Sequence, residues 1–331
     1  MKTSFLAAAL VAGLPFAASA AIIDNGTIQM GVDTLGQLNV GGGKPSAGGV
    51  TPTGLRYIPT NYEATAPGCL CEGWGVGIGD PGATAFGYAN NAAGISNLTS
   101  VSFTNTASTA TSVATVDGTG LRVTHTFTPA AETANLYRVS VKIENTGATD
   151  IADLRYTRTF DWDVEPTSFN EYVTHVGTGT TSTLLYSNNN GFENSNPFAL
   201  RSPIGGVAAN TDFTDAGAFD HGSNFDFGFG ELKAGEAYDF DIFYGAAANE
   251  TMAIAALSAV QVELYSLGQS MSSAGGPAND DVTFMFAFKG VGGSIVVPPV
   301  DPAPVPVPAA GFLLLGGLGA MGALRLRRKN G

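Results

Sequence analysis

Charge is scarce in this 331-residue chain, where Asp, Glu, Lys and Arg make up 13% and only 15 basic residues face 28 acidic ones. So few cations exclude a protein built to grip a phosphate backbone, so no nucleic-acid partner is expected. Cysteine is limited to two residues and histidine to three. That excludes a cysteine-framed mini-protein and leaves a zinc site short of donors. Sustained heptads and repeats of fixed period are missing, which excludes a coiled coil, a solenoid and a propeller. The motifs Gly-x-Ser-x-Gly and His-Glu-x-x-His and a strict EF-hand loop are missing too. The 44 glycines follow no triplet rule, so collagen is excluded. What is present is 44% hydrophobic residues, enough for a large core and too many for a disordered chain.

Both ends of the chain read as addresses. Residues 1–20 run from Met1-Lys2 through an apolar stretch, break at Pro15 and end in Ala18-Ser19-Ala20. This is the layout of a signal peptide, with an apolar region too short to span a bilayer. At the other end, alternating prolines from Val297 to Pro308 favour an extended, semi-rigid stalk. An uncharged apolar run from Ala309 to Leu324 follows, closed by Arg325, Arg327, Arg328 and Lys329. A helix of that length reaches roughly 24 Å, enough for a single transmembrane pass through a thinned bilayer. The basic end places its C-terminus in the cytoplasm.

Val305, Pro306, Val307, Pro308 and Ala309, the apolar run and the basic end together resemble the PEP-CTERM group of bacterial sorting tails, in the variant written VPLPA. Val307 stands where that variant has leucine. The resemblance implies an exosortase-type processing enzyme as partner, cleavage near the proline motif, and association with exopolysaccharide and biofilm. It covers about the last 27 residues and bears on sorting alone. A plain single-pass anchor shares the same parts.

Residues 21–297 read as one large all-β ectodomain, an antiparallel β-sandwich with one short packing helix. Setting aside Asp301, Lys2 and the four C-terminal cations leaves 27 acidic against 10 basic residues in it. Such a surface suits divalent cations, neutral glycans or solubility outside the cell. Period-two alternation marks strands: Leu121, Val123, His125 and Phe127 share one face, and so do Tyr137, Val139, Val141 and Ile143. Further strands carry Phe225, Phe227 and Phe229; Tyr238, Phe240, Ile242 and Tyr244; and Val282, Phe284, Phe286 and Phe288. One helix is expected, capped by Asn249, with Ala253, Ala256, Leu257, Val260, Leu264 and Leu267 on one face before Gly268.

Three constellations are candidates for chemistry. From Leu154 to Glu165 the alternation puts Leu154, Tyr156, Phe160, Trp162 and Val164 on one face, and Asp161, Asp163 and Glu165 on the other. Carboxylates about 6.6 Å apart along a strand repel, and a bound cation relieves them. A calcium or glycan site at these three, joined by Glu171 and His175, competes with a solvated face paired by Arg155. Arg158, on the apolar face, predicts either a buried partner or a bulge. Cys69 and Cys71 suggest a local disulfide or a redox-labile link between proteins. Trp74, in a glycine-rich stretch, is either a sugar-stacking platform or a packed residue. Separately, Asp212, Asp215, Asp220 and Asp226 around His221 suggest an irregular calcium loop.

These readings converge on an exported, cell-surface or extracellular-matrix protein, transiently membrane-anchored by its tail and acting by binding or assembly. The rival is a secreted carbohydrate-active hydrolase using carboxylates between Asp161 and Glu171.

Overall fold

The alternating segments become strands in a computed structural model that describes residues 20–80 and 83–297. The signal peptide expected over residues 1–20 falls outside these residues except for Ala20; the stalk, the sorting motif and the 309–331 tail fall outside them entirely. In chain order the strands are β1 (Ala21–Asp24), β2 (Ile28–Val32), β3 (Leu55–Tyr57), β4 (Tyr62–Glu63), β5 (Gly73–Asp80), β6 (Ala83–Asn90) and β7 (Gly94–Ser96). Then come β8 (Leu98–Asn105), β9 (Ala110–Val116), β10 (Leu121–Pro129), β11 (Leu136–Asn145), β12 (Ile151–Trp162), β13 (Glu171–Val176) and β14 (Leu184–Asn188). The last are β15 (Phe213–Phe219), β16 (His221–Leu232), β17 (Ala237–Ala247), helix α1 (Glu250–Val260), β18 (Leu264–Gln269) and β19 (Thr283–Lys289).

They form three antiparallel sheets: four strands ordered β1-β2-β3-β4, six ordered β14-β16-β12-β5-β6-β7, and nine ordered β15-β13-β18-β19-β17-β11-β10-β9-β8. On β10, Leu121, Val123, His125 and Phe127 are buried while Arg122 is exposed, so the period-two pattern selects the core face. Aromatic rings join the six- and nine-stranded sheets. Phe160 lies 5.5 Å from Tyr244 and 4.9 Å from Phe286, and Phe227 lies 4.9 Å from Phe288, centroid to centroid. Ile23, Met30 and Leu55 of the four-stranded sheet belong to the same core.

Helix α1 covers the other face of the nine-stranded sheet. Ala253, Ala256, Leu257 and Val260 pack with Phe243, Met285 and Ala287. The Met252 backbone N–H donates to Asn249 Oδ1 at 2.9 Å, a normal N-cap. The helix stops earlier than its apolar spacing suggests: Gln261 is left-handed at φ 58°, and Leu264 and Leu267 belong to β18. Every residue of β18 is buried. A strand buried on both faces need not show the alternation that would distinguish it from one more helical turn. Among the described residues no helix is long and apolar enough to cross a membrane.

Two surfaces differ from expectation because the segment 189–210 lies over the outer face of the six-stranded sheet. The glycine-rich stretch is the strand β5, hydrogen-bonded between β12 and β6. Its glycines leave no room for side chains: a Cβ on Gly75 would sit 1.8 Å from the Ser195 carbonyl oxygen, and one on Gly77 2.4 Å from the Phe198 ring. Stripping that face of side chains lets the covering segment rest on backbone. The polar face of β12 is likewise buried, with Thr157 and Thr159 at 0% exposure and Asp161 at 1%. Arg201 of the covering segment donates from Nε to Asp226 Oδ2 at 3.0 Å, and Thr157 Oγ1 donates to Asp226 Oδ1 at 2.5 Å.

Candidate metal centre

β12 delivers Asp161 next to its last residue, and the chain leaves the sheet at Asp163, whose carbonyl oxygen accepts from Ser168 Oγ at 3.0 Å. After the turn at Thr167–Asn170, β13 begins with Glu171. Pairing of Glu171 with Phe219 and of Trp162 with His221 brings the β15–β16 turn, and with it Asp220, to the same sheet end. The loop between β4 and β5 adds Cys69 and Cys71, which are joined as a disulfide. Gly68 lets this loop lie close: at φ +70°, a Cβ there would meet the Phe169 ring at 2.7 Å and Asp163 Oδ2 at 3.4 Å.

Ligand atoms of Asp161, Asp163 and Asp220 lie within 4.8 Å of one another. Asp161 and Asp163 are 1% and 0% exposed, and Glu171 is 0% exposed. Asp161 Oδ1, both Asp163 oxygens, Glu171 Oε2 and Asp220 Oδ1 have no hydrogen-bond partner among the described residues. Asp161 Oδ2 touches Cys69 Sγ at 3.1 Å, but a disulfide sulfur has no proton to donate, so this oxygen too lacks a donor. Glu171 Oε1 accepts from the His221 N–H at 3.2 Å.

Burial pushes Asp161 up to about 8, with Asp220 adding to the shift. Asp163 is pushed up to about 10 by burial, then by Asp161 and Glu171, and Glu171 up to about 9, chiefly by burial. Burial also raises Asp220. Two full charges 4.8 Å apart repel by roughly 3–4 kcal/mol at an effective dielectric of about 20. Such a cluster reaches neutrality in one of two ways: it takes up protons, or it binds a cation. An all-oxygen set of this charge matches a hard divalent ion, calcium above all.

The residues named from sequence separate. Glu165 leaves the row: its carboxylate accepts from Ser46 Oγ at 2.5 Å, the Gly48 N–H at 3.1 Å and the Glu63 N–H at 3.1 Å. The chain has left the strand by then, so the six-ångström spacing no longer applies. Trp74 is fully buried, its Nε1 donating to the Leu35 carbonyl at 2.8 Å and its ring 4.6 Å from His125, and it offers no face to a sugar. His175 bonds Ser223 Oγ at 2.7 Å inside the core, and burial holds it down to about 3.

The acidic loop around His221 is dispersed. Asp212 accepts from the Gly177 and Thr178 N–H groups, Asp226 pairs with Arg201, and Asp220 alone joins the cluster. Arg155 pairs with Asp153 at 2.8 Å rather than with the acidic row. Arg158 has its buried partner: Nε donates to Glu72 Oε1 at 2.5 Å, and the register through Arg158 is unbroken. Asp220 was visible as an acid but not as a neighbour, since only the β13–β15 and β12–β16 pairings bring it in.

No protein-family model matches the chain, and no curated protein is similar enough to match it.

Proposed function

We propose that the chain is an exported bacterial cell-surface or matrix protein, sorted by its C-terminal tail. Its ectodomain acts by binding or assembly and is completed by a calcium ion at Asp161, Asp163 and Asp220, with Glu171 beside them. The six- and nine-stranded sheets are read as the two layers of a β-sandwich carrying that ion at one end. The observation behind this reading is the group of buried carboxylate oxygens without donors. Free calcium is plentiful outside cells, where modules of this kind bind it with dissociation constants of about 10⁻⁴–10⁻³ M. The sorting tail supports export to the surface, with an exosortase-type enzyme and exopolysaccharide as partners. Against the rival hydrolase stands the burial of Asp161, Asp163 and Glu171, which keeps a polymeric substrate from their oxygens.

Thermal unfolding of the oxidised protein with calcium and with a chelator tests the ion. Calcium at ~100 times its dissociation constant is expected to add ~2.7 kcal/mol, or ~5 °C in a domain of this size. An unchanged midpoint up to ~10 mM calcium, well above the range of such sites, overturns the calcium reading. Co-elution of the protein with the producing cell's exopolysaccharide tests the partner, and a shortened polymer would favour the hydrolase.

A further inference from the structure

The carboxylate cluster has a sulfur edge. Cys69 Sγ lies 3.1 Å from Asp161 Oδ2, and the two cysteine sulfurs with an Asp161 oxygen form a second set of three ligand atoms within 4.8 Å of one another. Asp161 therefore belongs to two sets, one of oxygens and one of sulfur and oxygen. The Cα atoms of Cys69 and Cys71 are 5.2 Å apart. Two thiolates on one tetrahedral zinc, with bonds of ~2.3 Å, sit about 3.8 Å from each other, a spacing this pair can adopt once its bond opens. Asp163, fully buried with neither oxygen partnered, and Asp220 stand beside Asp161 to supply the fourth donor.

We infer that this is one site with two metal preferences selected by the disulfide. Closed, it presents only oxygens and takes a hard cation; opened, it presents Cys69, Cys71 and Asp161 and takes a thiophilic divalent cation such as zinc. The opening step is exchange with a dithiol. One dithiol sulfur attacks a cysteine sulfur, the Cys69–Cys71 bond breaks and the other cysteine leaves as a thiolate. The second dithiol sulfur then closes the reductant's own disulfide and frees the remaining cysteine. Two electrons and two protons pass to the cysteine pair, and metal binding releases the two thiol protons. The choice of metal follows from ligand softness. The inference rests on reading the carboxylates as a cation site.

The test uses the full chain in detergent micelles, oxidised and phosphine-reduced, titrated with cobalt(II) as a probe for zinc. The reduced chain is expected to bind one cobalt per chain with thiolate-to-cobalt charge-transfer absorption, which zinc abolishes by displacement. The oxidised chain shows no such absorption. Asp161→Asn keeps both thiols and is expected to weaken cobalt binding at least ~10-fold; Cys69→Ser removes the absorption. If two free thiols per chain are counted and the absorption is absent while the oxidised chain keeps its calcium stabilisation, this inference fails alone. If the calcium stabilisation is absent as well, the reading beneath it fails too.

Discussion

Glu72 and Asp163 are both completely buried carboxylates, yet among the described residues Glu72 accepts from three donors and Asp163 from none. Around Glu72, Arg158 Nε, the Leu38 N–H and Tyr244 Oη converge at 2.5, 2.6 and 2.9 Å, and Arg158 also donates to the Gly36 carbonyl. Burial alone would lower the Arg158 pKa, but Glu72 outweighs it and holds the guanidinium charged. Arg56 and Glu63 make a second such pair at 3.2 Å. At the sheet end, by contrast, four carboxyl groups meet with no ion-pair partner among the described residues. A charge balanced inside the fold serves structure by itself; one left unbalanced waits for something from solution.

The largest effect expected from this contrast is at the balanced site. Arg158→Met strands Glu72 and should cost ~3–5 kcal/mol in urea unfolding. Adding Glu72→Met removes the stranded charge and should recover part of it, less the cost of leaving the Leu38 N–H and Tyr244 Oη without their acceptor. If the double variant is no more stable than the single, the two sites are not opposites after all.

Acidity provides the next. Asp161, Asp163 and Glu171 sit at about 8, 10 and 9 in the folded, cation-free chain, against an ordinary carboxyl range near ~4 in the unfolded one. The folded state then holds extra protons. Their stabilisation is complete below the unfolded value and is lost as pH rises through 8 to 10. In calcium-free buffer the unfolding midpoint should therefore fall from about pH 7 to pH 9 or so, above the range in which the buried His125, His175 and His221, all lowered by burial, pull the other way, and calcium should flatten the slope. A flat profile without calcium would contradict the unpaired state of these groups.

The smallest is Asp163→Asn. At about 10 in the folded chain, Asp163 must take up a proton to fold at pH 8 and asparagine need not, so the variant should stabilise the calcium-free protein there by at least ~1 kcal/mol, while abolishing most of the gain from calcium. Measured together by thermal unfolding, the two changes have opposite signs, the reverse of what deleting a partnered acid such as Glu72 would do.

Much of the strand framework was legible because one-sided burial writes a period of two. β10 and β11 carry it throughout and β17 in part. β16 and β19 are largely buried on both faces, and their alternating phenylalanines marked them instead; β18, buried on both faces without such an alternation, reads as more helix. Gly73, Gly75, Gly77 and Gly79 did carry a period-two signal, with Trp74 and Val76 buried between the first three, but a face of glycines looks like a loop until something is known to lie on it. The acidic row was half legible. Asp161 and Asp163 share the site, whereas Glu165 had already turned into a loop of its own.

The sequence by itself determined the strand-rich framework, the helix cap at Asn249, the nearness of Cys69 to Cys71 and the excess of acid, since each follows from neighbours a few residues apart. Only the tertiary structure decided which acids would meet, that the polar face of β12 would be roofed over, and that Arg158 would be used up by Glu72, 86 positions earlier. Those outcomes depend on which strands pair and which segment covers them, and charge balance inside a fold is settled by neighbours in space.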